Sequence, residues 1–131
     1  MKEIIELKFD ESVKYSKEHT WAKTDGHLIV IGISDYAQDH LGEIIFIDLP
    51  EIWDSFNRNA EFGVVESAKS TSELYMPVGG EVVEVNDTLR DNPEIVNSDP
   101  FTAGWMIKVL PKDTSELSQL FSAEGYKASL T

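Results

Sequence analysis

The sequence contains no cysteine. Disulfides and thiol chemistry of the polypeptide itself are therefore excluded, and any sulfur chemistry has to come from an attached group. Basic residues are also scarce, because 11 Lys and Arg stand against 24 Asp and Glu, for a net charge of −13. Such an acidic surface repels phosphate backbones, so we expect no nucleic-acid partner. It favours either basic protein partners or solubility, and charge alone does not separate the two.

Long apolar runs are absent as well. No stretch approaches the roughly 18 apolar residues of a membrane-spanning helix, and the mixed-charge start MKEIIELKFDESVKY is unlike a signal or Arg-rich transit peptide. We therefore expect a cytoplasmic protein with no membrane contact. The 131 residues, 41% of them apolar, predict a single domain, 1–131, with its own core.

Catalytic signatures are missing too. The three histidines, His19, His27 and His40, lack the close pairing of a zinc site, and no nucleophile elbow or phosphate-binding glycine loop occurs. We therefore predict no metal site, no catalytic residues and no enzyme activity of the chain's own. His19 is predicted to lie on a strand and to serve in hydrogen bonding.

What is present is a series of short apolar runs separated by turn residues, which predicts a mainly β fold. Asp25-Gly26 predicts the turn of a hairpin. Ser34 as N-cap and Gly42 beyond the end delimit a short predicted helix. The later predicted strands are EIIFIDL, EFGVVES, SELYM, GEVVEVN and GWMIKVL.

Two further segments complete the prediction. Residues 86–103 are rich in Asn, Asp and Pro and are predicted as a long loop. The spacing of Leu117, Leu120 and Phe121 predicts a helix near the C-terminus.

One lysine stands alone. Lys69 is the only lysine between Thr24 and Ile107, and it falls between two predicted strands, at the tip of a hairpin. Its neighbours Glu66 and Ser67 do not form the dry pocket that a nucleophilic lysine needs, so modification by another enzyme is the favoured role. An ordinary surface lysine remains the alternative on these grounds.

Alternation along the same two strands predicts which side chains point inward. It places Phe62, Val64 and Glu66 on one face of the first strand and Val65 and Ser67 on the other. On the second strand it places Leu74 and Met76 together, opposite Glu73 and Tyr75.

Five blocks in order resemble the H protein of the glycine cleavage system, a family of lipoyl carriers. The resemblance runs from about Tyr15 to Leu120 and implies a hybrid barrel-sandwich of the lipoyl/biotinyl type. That fold has two small antiparallel sheets, here with a short helix after residue 34 and a C-terminal helix. Biotin carriers flank the lysine with methionines, so Ala68 and Ser70 disfavour biotin. The blocks are YSKEHTW, IGISDYAQDHLGEIIFIDLPE, FGVVESAKSTSELYMPVGGEVVEVN, NPEIVNSDPF and GWMIKV.

The resemblance also implies a function. Its central motif, Glu66-Ser67-Ala68-Lys69, corresponds to the family's lipoylation site, which implies lipoic acid in amide linkage to Lys69. The implied role is a non-catalytic carrier that moves an aminomethyl group from a pyridoxal-phosphate glycine decarboxylase to an aminomethyltransferase. A dihydrolipoyl dehydrogenase reoxidises the dihydrolipoyl group, and a lipoate ligase or lipoyl transferase attaches it. We expect a monomer, because a shuttle docks with several enzymes in turn.

One departure from the family affects the cofactor-binding residues. The family's HEW is HTW here, so Thr20 replaces a carboxylate that in the family holds the cationic aminomethyl arm. A hydroxyl accepts a hydrogen bond but brings no charge. Glu18 could share a strand face with Thr20 and compensate in part, and Glu73 matches an acidic position near the lipoyl turn.

A second departure lies in PEIWDSFNRNAEF, where Trp53 and Asn59 stand at positions that are often glycine in the family. We expect a differently shaped loop in which Trp53 folds back on the barrel, with a partner contact as the alternative. The departures also leave an alternative function: a carrier paralogue serving other partners, in lipoate relay or a sulfur-oxidation complex.

Overall fold

The computed structural model describes residues 2–131, and its strands form two antiparallel sheets. The larger sheet has the strand order β1-β2-β3-β9-β8-β5, and the smaller has the order β4-β6-β7. Their inward faces enclose one core, in which Ile31, Val65, Val82 and Ile107 are fully buried. The prediction of a mainly β fold of two antiparallel sheets is confirmed. The strands are β1 (Lys14–Tyr15), β2 (Thr20–Asp25), β3 (Leu28–Ile33), β4 (Ile44–Asp48), β5 (Ser55–Phe56), β6 (Glu61–Ser67), β7 (Thr71–Tyr75), β8 (Gly80–Val85) and β9 (Ile107–Pro111).

Short helices surround the sheets. The predicted ends of α1 are confirmed, because the Ser34 hydroxyl accepts a hydrogen bond from the Ala37 N–H, and Gly42 follows the helix with φ +78°. Within residues 2–131, no helix is long and apolar enough to cross a membrane. The α-helices are α1 (Asp35–Leu41), α2 (Thr88–Asp91), α3 (Ile95–Ser98) and α4 (Ala123–Ser129), and 3₁₀ turns cover Ile4–Glu6 and Thr114–Gln119.

The segment 86–103 is not the continuous loop that its composition predicts. It contains α2 and α3, each a single helical turn. Each turn presents one fully buried side chain, Leu89 from α2 and Val96 from α3. A helix of four residues is too short to show helical periodicity, so composition alone misses both helices.

The C-terminal region also differs from its prediction. Leu120 is extended and separates the 3₁₀ turn from α4, so Leu117, Leu120 and Phe121 do not share one helix. Phe121 instead pairs with Tyr15, each backbone N–H donating to the other's carbonyl oxygen over 2.8 Å. Pairing with β1 interrupts the helix. A C-terminal helix is confirmed in α4.

Two register details correct the predicted strands. In the β2–β3 hairpin, Asp25 pairs with Leu28, so the connecting residues are Gly26 and His27 rather than Asp25 and Gly26. In β6 the register shifts between Glu61 and Gly63. A bulge of this kind adds one residue to a strand and reverses the alternation after it.

The bulge changes which β6 side chains reach the core. Phe62, Val65 and Ser67 are buried, whereas Glu66 is exposed, so the predicted grouping of Phe62 with Glu66 is wrong. The predicted face of β7 is confirmed, because Leu74 is buried and Glu73 is exposed.

Candidate functional site

The tip of the β6–β7 hairpin consists of residues 68–70, and Ser67 fixes its shape. The Ser67 hydroxyl, on a side chain only 5% exposed, accepts hydrogen bonds from the N–H groups of Lys69 (3.3 Å) and Ser70 (3.1 Å). It also donates to the Ser70 carbonyl oxygen over 3.2 Å. A serine that bonds to the backbone two and three residues ahead stabilises a tight turn. Lys69 therefore projects into solvent from a fixed backbone.

The tip is also attached to the segment between α1 and β4. The Ala68 N–H donates to the Glu43 carbonyl oxygen over 3.0 Å. The aliphatic stem of Lys69 lies over Gly42, because a Cβ atom on that glycine would be 3.5 Å from Lys69 Cε. Gly42 has φ +78° and ψ −157°, a backbone region that is essentially restricted to glycine. Because it has no side chain, Gly42 leaves space for the lysine stem, and its backbone supports the stem from below.

A single side chain from α3 holds Gly42 in place. The Asn97 amide group donates to the Gly42 carbonyl oxygen (2.9 Å) and to Gln38 Oε1 (2.8 Å), while Asn97 Oδ1 accepts from the Ile44 N–H (2.9 Å). Sequence reasoning missed Asn97, because nothing local marks one Asn in a polar stretch. It found Gly42 as a helix end but missed its contact with Lys69.

Beside the tip lies a cleft of about 420 Å³. One wall is the hairpin flank from Ser70 to Leu74, the opposite wall is α1, and the turn before β2 closes one end. The carboxylates of Glu18 and Glu73 line the cleft, and its lining includes no Lys or Arg. The field in the cleft is therefore negative and attracts cations. Apolar lining comes from Ile33, Ala37, Leu41 and Leu74.

Thr20, predicted from its sequence position as an acceptor for a bound group, lines the cleft but makes its hydrogen bonds within the protein. Its side chain is 1% exposed, and its hydroxyl donates to the Tyr75 carbonyl oxygen over 3.0 Å. The Ser16 hydroxyl lies 2.7 Å away and, since Thr20 donates elsewhere, is the donor to Thr20. Thr20 therefore joins β2 to the end of β7, with its hydroxyl proton and one of its lone pairs used within the protein.

The turn before β2 also differs from expectation. Glu18 lies in this turn and not on a strand, so it does not share a strand face with Thr20, although both residues line the cleft. His19 is likewise in the turn, with φ +71°. This conformation directs Glu18 toward solvent while Thr20 is buried. The structure still places Glu18, Thr20 and Glu73 around one cavity.

The back of the cleft is tied to the C-terminal helix. The Tyr126 hydroxyl lies 2.8 Å from His19 Nδ1 and 2.8 Å from the Ser34 hydroxyl. Burial lowers the pKa of His19; Glu18 opposes this shift, and His40 adds to it. Burial also raises the pKa of Tyr126, with the Ser34 hydrogen bond acting in the opposite direction. Both pKa shifts favour the neutral form of the group.

The remaining predicted residue, Glu66, lies outside the cleft. It is exposed on β6, where it pairs with Phe46 of β4 and Thr71 of β7. In residues 2–131, no cluster of three or more His, Asp and Glu side chains is arranged to hold a metal ion.

Trp53 does not fold back on the barrel, so that expectation is wrong. Its side chain is 69% exposed, and its backbone has φ +80°. The Trp53 N–H donates to the Val82 carbonyl oxygen over 2.7 Å, which holds the backbone against β8. Asn59 also has positive φ, at +69°. The loop therefore retains the glycine-like backbone at both positions while carrying larger side chains.

A family model and full-length relatives match this chain and agree on one family. The model of the family described as "Glycine cleavage H-protein" matches residues 13–131. A glycine cleavage system H protein of Anaeromyxobacter sp. (strain K) is 45% identical over 93% of this chain and 95% of its own length. Another, of Staphylococcus carnosus (strain TM300), is 51% identical over 89% of this chain and 93% of its own.

A solved structure agrees with these sequence relatives. The crystal structure of a glycine cleavage system H protein from Mycobacterium marinum superposes with a TM-score of 0.85 at 30% identity. The match covers 92% of this chain and 98% of that one. Proteins of the matched family carry lipoic acid covalently attached to a lysine.

Proposed function

The chain belongs to the glycine cleavage H-protein family, and from that premise we propose that lipoic acid is attached in amide linkage to Lys69. One observation carries this proposal. Lys69 is an exposed lysine on a hairpin tip whose backbone is held by Ser67 and Glu43, and it stands next to an open cleft. The tip fits the group, because the lysine stem rests on Gly42 while the amine is free in solvent.

The function is that of a lipoyl carrier in the glycine cleavage system. When bound, lipoic acid supplies a disulfide-containing ring that accepts a one-carbon unit and electrons, chemistry that no side chain of this cysteine-free sequence offers. The chain's own residues do something different. Ser67, Gly42 and Asn97 fix the point from which the arm leaves the protein, and an arm on a fixed base keeps a high local concentration at a docked active site.

We propose that Glu18 and Glu73 hold a cationic group at the end of the arm. Both carboxylates line the cleft, and an ammonium group between two carboxylates gains charge-assisted hydrogen bonds. The hydroxyl of Thr20 brings no charge and donates to Tyr75, so we assign to the two glutamates the role that the family gives to a carboxylate at that position.

The wider assignment is part of the same proposal. The chain acts as one domain, 1–131, and as a monomer without catalytic activity of its own. Its partners are a pyridoxal-phosphate glycine decarboxylase, an aminomethyltransferase, a dihydrolipoyl dehydrogenase and the lipoate ligase or lipoyl transferase that modifies it. The alternative of a paralogue in lipoate relay or sulfur oxidation gains no support from the relatives above, which are all described as glycine cleavage proteins.

Replacing the lysine tests the attachment site. The chain is produced in cells with a working lipoylation pathway, and intact mass is measured for the wild type, Lys69→Arg and Lys23→Arg. We expect one added lipoyl group in the wild type and in Lys23→Arg, and none in Lys69→Arg, because a guanidinium does not form the amide. Lys23 is an exposed lysine on β2 and serves as the matched control. Modification of Lys69→Arg, or a wild type that stays bare, would refute the assignment.

A further inference from the structure

The outer face of the small sheet carries an apolar pair that the carrier function does not explain. Ile45 and Phe46 are consecutive in β4, yet both are 51% exposed. Consecutive residues of a regular strand point to opposite faces. Here Ile44 pairs with Ser67 and Phe46 with Glu66, so Ile45 is the extra residue of a bulge. The bulge turns both apolar side chains outward.

The pair lies next to the modification site. Phe46 stands directly opposite Glu66, only three residues before Lys69, on strands separated by roughly 5 Å. Ile44, the first residue of β4, pairs with Ser67, the residue that fixes the hairpin tip. Any protein that encloses Lys69 therefore also approaches this face.

Three carboxylates lie close to the apolar pair, and one cation, Arg90, lines the pocket next to Phe46 and Asp48. Glu43 and Glu66 are exposed beside the pair, and Asp48, also exposed, pairs with the half-buried Val64 in the next row of the sheet. We call the outward surface formed by Ile45, Phe46, Val64, Asp48 and Glu66 the β4 face. An exposed aromatic and an aliphatic side chain within a mainly acidic rim complement an apolar pocket edged by Lys and Arg.

Resting on the assignment of Lys69 as the lipoylation site, we propose that the β4 face is the docking surface for the enzyme that attaches the lipoyl group. The length of the unmodified lysine side chain favours this enzyme over the other partners as the occupant of the β4 face. The amine of an unmodified lysine extends only about 6 Å from its Cα atom. An active site that acts on this amine must therefore contact the protein around the tip, whereas partners that act at the end of the finished arm can stand farther away.

The reaction served by this docking is an acyl transfer. The Lys69 ammonium loses a proton, and the free amine attacks the carbonyl carbon of an activated lipoyl donor such as a lipoyl adenylate. The new C–N amide bond forms as the bond to the leaving group breaks. AMP departs with that electron pair, and the nitrogen loses a second proton. The β4 face takes no part in these steps and acts by orienting the amine.

Kinetics of modification test the docking surface. Unmodified chain is incubated with a lipoate ligase, lipoate and MgATP, and the modified fraction is followed by intact mass. We expect Ile45→Ala/Phe46→Ala to raise the KM for the carrier by about 10-fold or more, with kcat changed by less than about twofold, because buried aromatic anchors dominate interface energetics. Phe46→Leu, which keeps an apolar side chain, should recover most of the affinity.

Leu110→Ala is the matched control. It removes an apolar side chain that is equally exposed, at 48%, but lies on β9 in the large sheet. Its KM should equal that of the wild type. Higher ionic strength should raise the KM of the wild type, and Glu66→Gln/Asp48→Asn should weaken that dependence.

Each contrary result has its own meaning. A wild type modified at Lys69, with Ile45→Ala/Phe46→Ala modified at an equal KM, overturns the docking surface and leaves the carrier function intact. A wild type that accepts no lipoyl group at Lys69 removes both proposals. Sedimentation that shows a dimer of the wild type, lost in Ile45→Ala/Phe46→Ala, assigns the β4 face to a second copy of the chain and overturns the enzyme as its occupant.

Discussion

Two hairpins of this protein have short exposed tips, yet they are held in different ways. The β2–β3 tip, at Gly26 and His27, is closed by the strand pairing of Asp25 with Leu28, and a Cβ atom on Gly26 would meet nothing within 4 Å. The β6–β7 tip has additional bonds from the Ser67 hydroxyl and to the Glu43 carbonyl, and its lysine rests on Gly42. Anchoring beyond the strand ladder therefore distinguishes the tip that presents a functional group from the tip that only connects strands.

Removing the Ser67 hydroxyl should give the largest difference in stability between the two hairpins. We expect Ser67→Ala to lower the free energy of unfolding by about 2 kcal/mol, because two backbone N–H groups lose part-buried hydrogen bonds to this hydroxyl. Thr24→Ala, at an exposed position near the β2–β3 tip, should cost less than about 0.5 kcal/mol. Urea unfolding followed by circular dichroism measures both, and equal losses would contradict the distinction.

The two glycines with positive φ offer a closely matched pair. Gly42→Ala should destabilise the protein by about 1 kcal/mol more than Gly26→Ala, because Gly42 combines φ +78° with ψ −157°, outside the left-handed helical region that other residues occasionally adopt. The same urea titrations measure the difference. Intact mass should also show slower lipoylation of Gly42→Ala alone. If the two variants were equally stable, backbone strain at the lysine base would be excluded.

Acidification should have the smallest expected effect on the stability of the protein. The unfolded chain binds a proton at His19 near pH 6.5, whereas burial lowers the pKa of His19 in the folded protein. The unfolded state thus binds more protons, and stability falls as the pH decreases below about 7 toward the folded-state pKa. His19→Asn should reduce this slope, since Asn tolerates the positive φ at this position. His27→Asn, at the exposed β2–β3 tip, should keep it. Thermal unfolding across this pH range is the measurement.

Features that depend on neighbouring residues could be predicted from the sequence, whereas features that depend on contacts between distant segments could not. Ser34 and Gly42 delimit α1 as predicted, and the position of Lys69 at a tip was predicted, because caps and turns depend on neighbouring residues. The bulges at Phe62 and Ile45 were not predicted, since they depend on how one strand registers with another.

The cleft illustrates the same limit. Glu18, Thr20 and Glu73 are all expected near the lysine from the sequence and all line the cleft, but the hydrogen bond that Thr20 donates could not be predicted. Its partner, the Tyr75 carbonyl oxygen, is 55 residues away in the chain. Asn97 likewise acts on Gly42 across 55 residues. Contacts of such range are set by the packing of the two sheets, and local patterns do not encode them individually.

The bond between Tyr126 and the turn at His19 has a consequence for synthesis of the protein. The wall behind the cleft joins residues near the start of the chain to a helix that ends at Ser129. Lys69 therefore leaves the ribosome long before its surroundings are complete. A nascent chain presents the lysine without the finished cavity beside it, and α4, which emerges after the lysine, closes that wall.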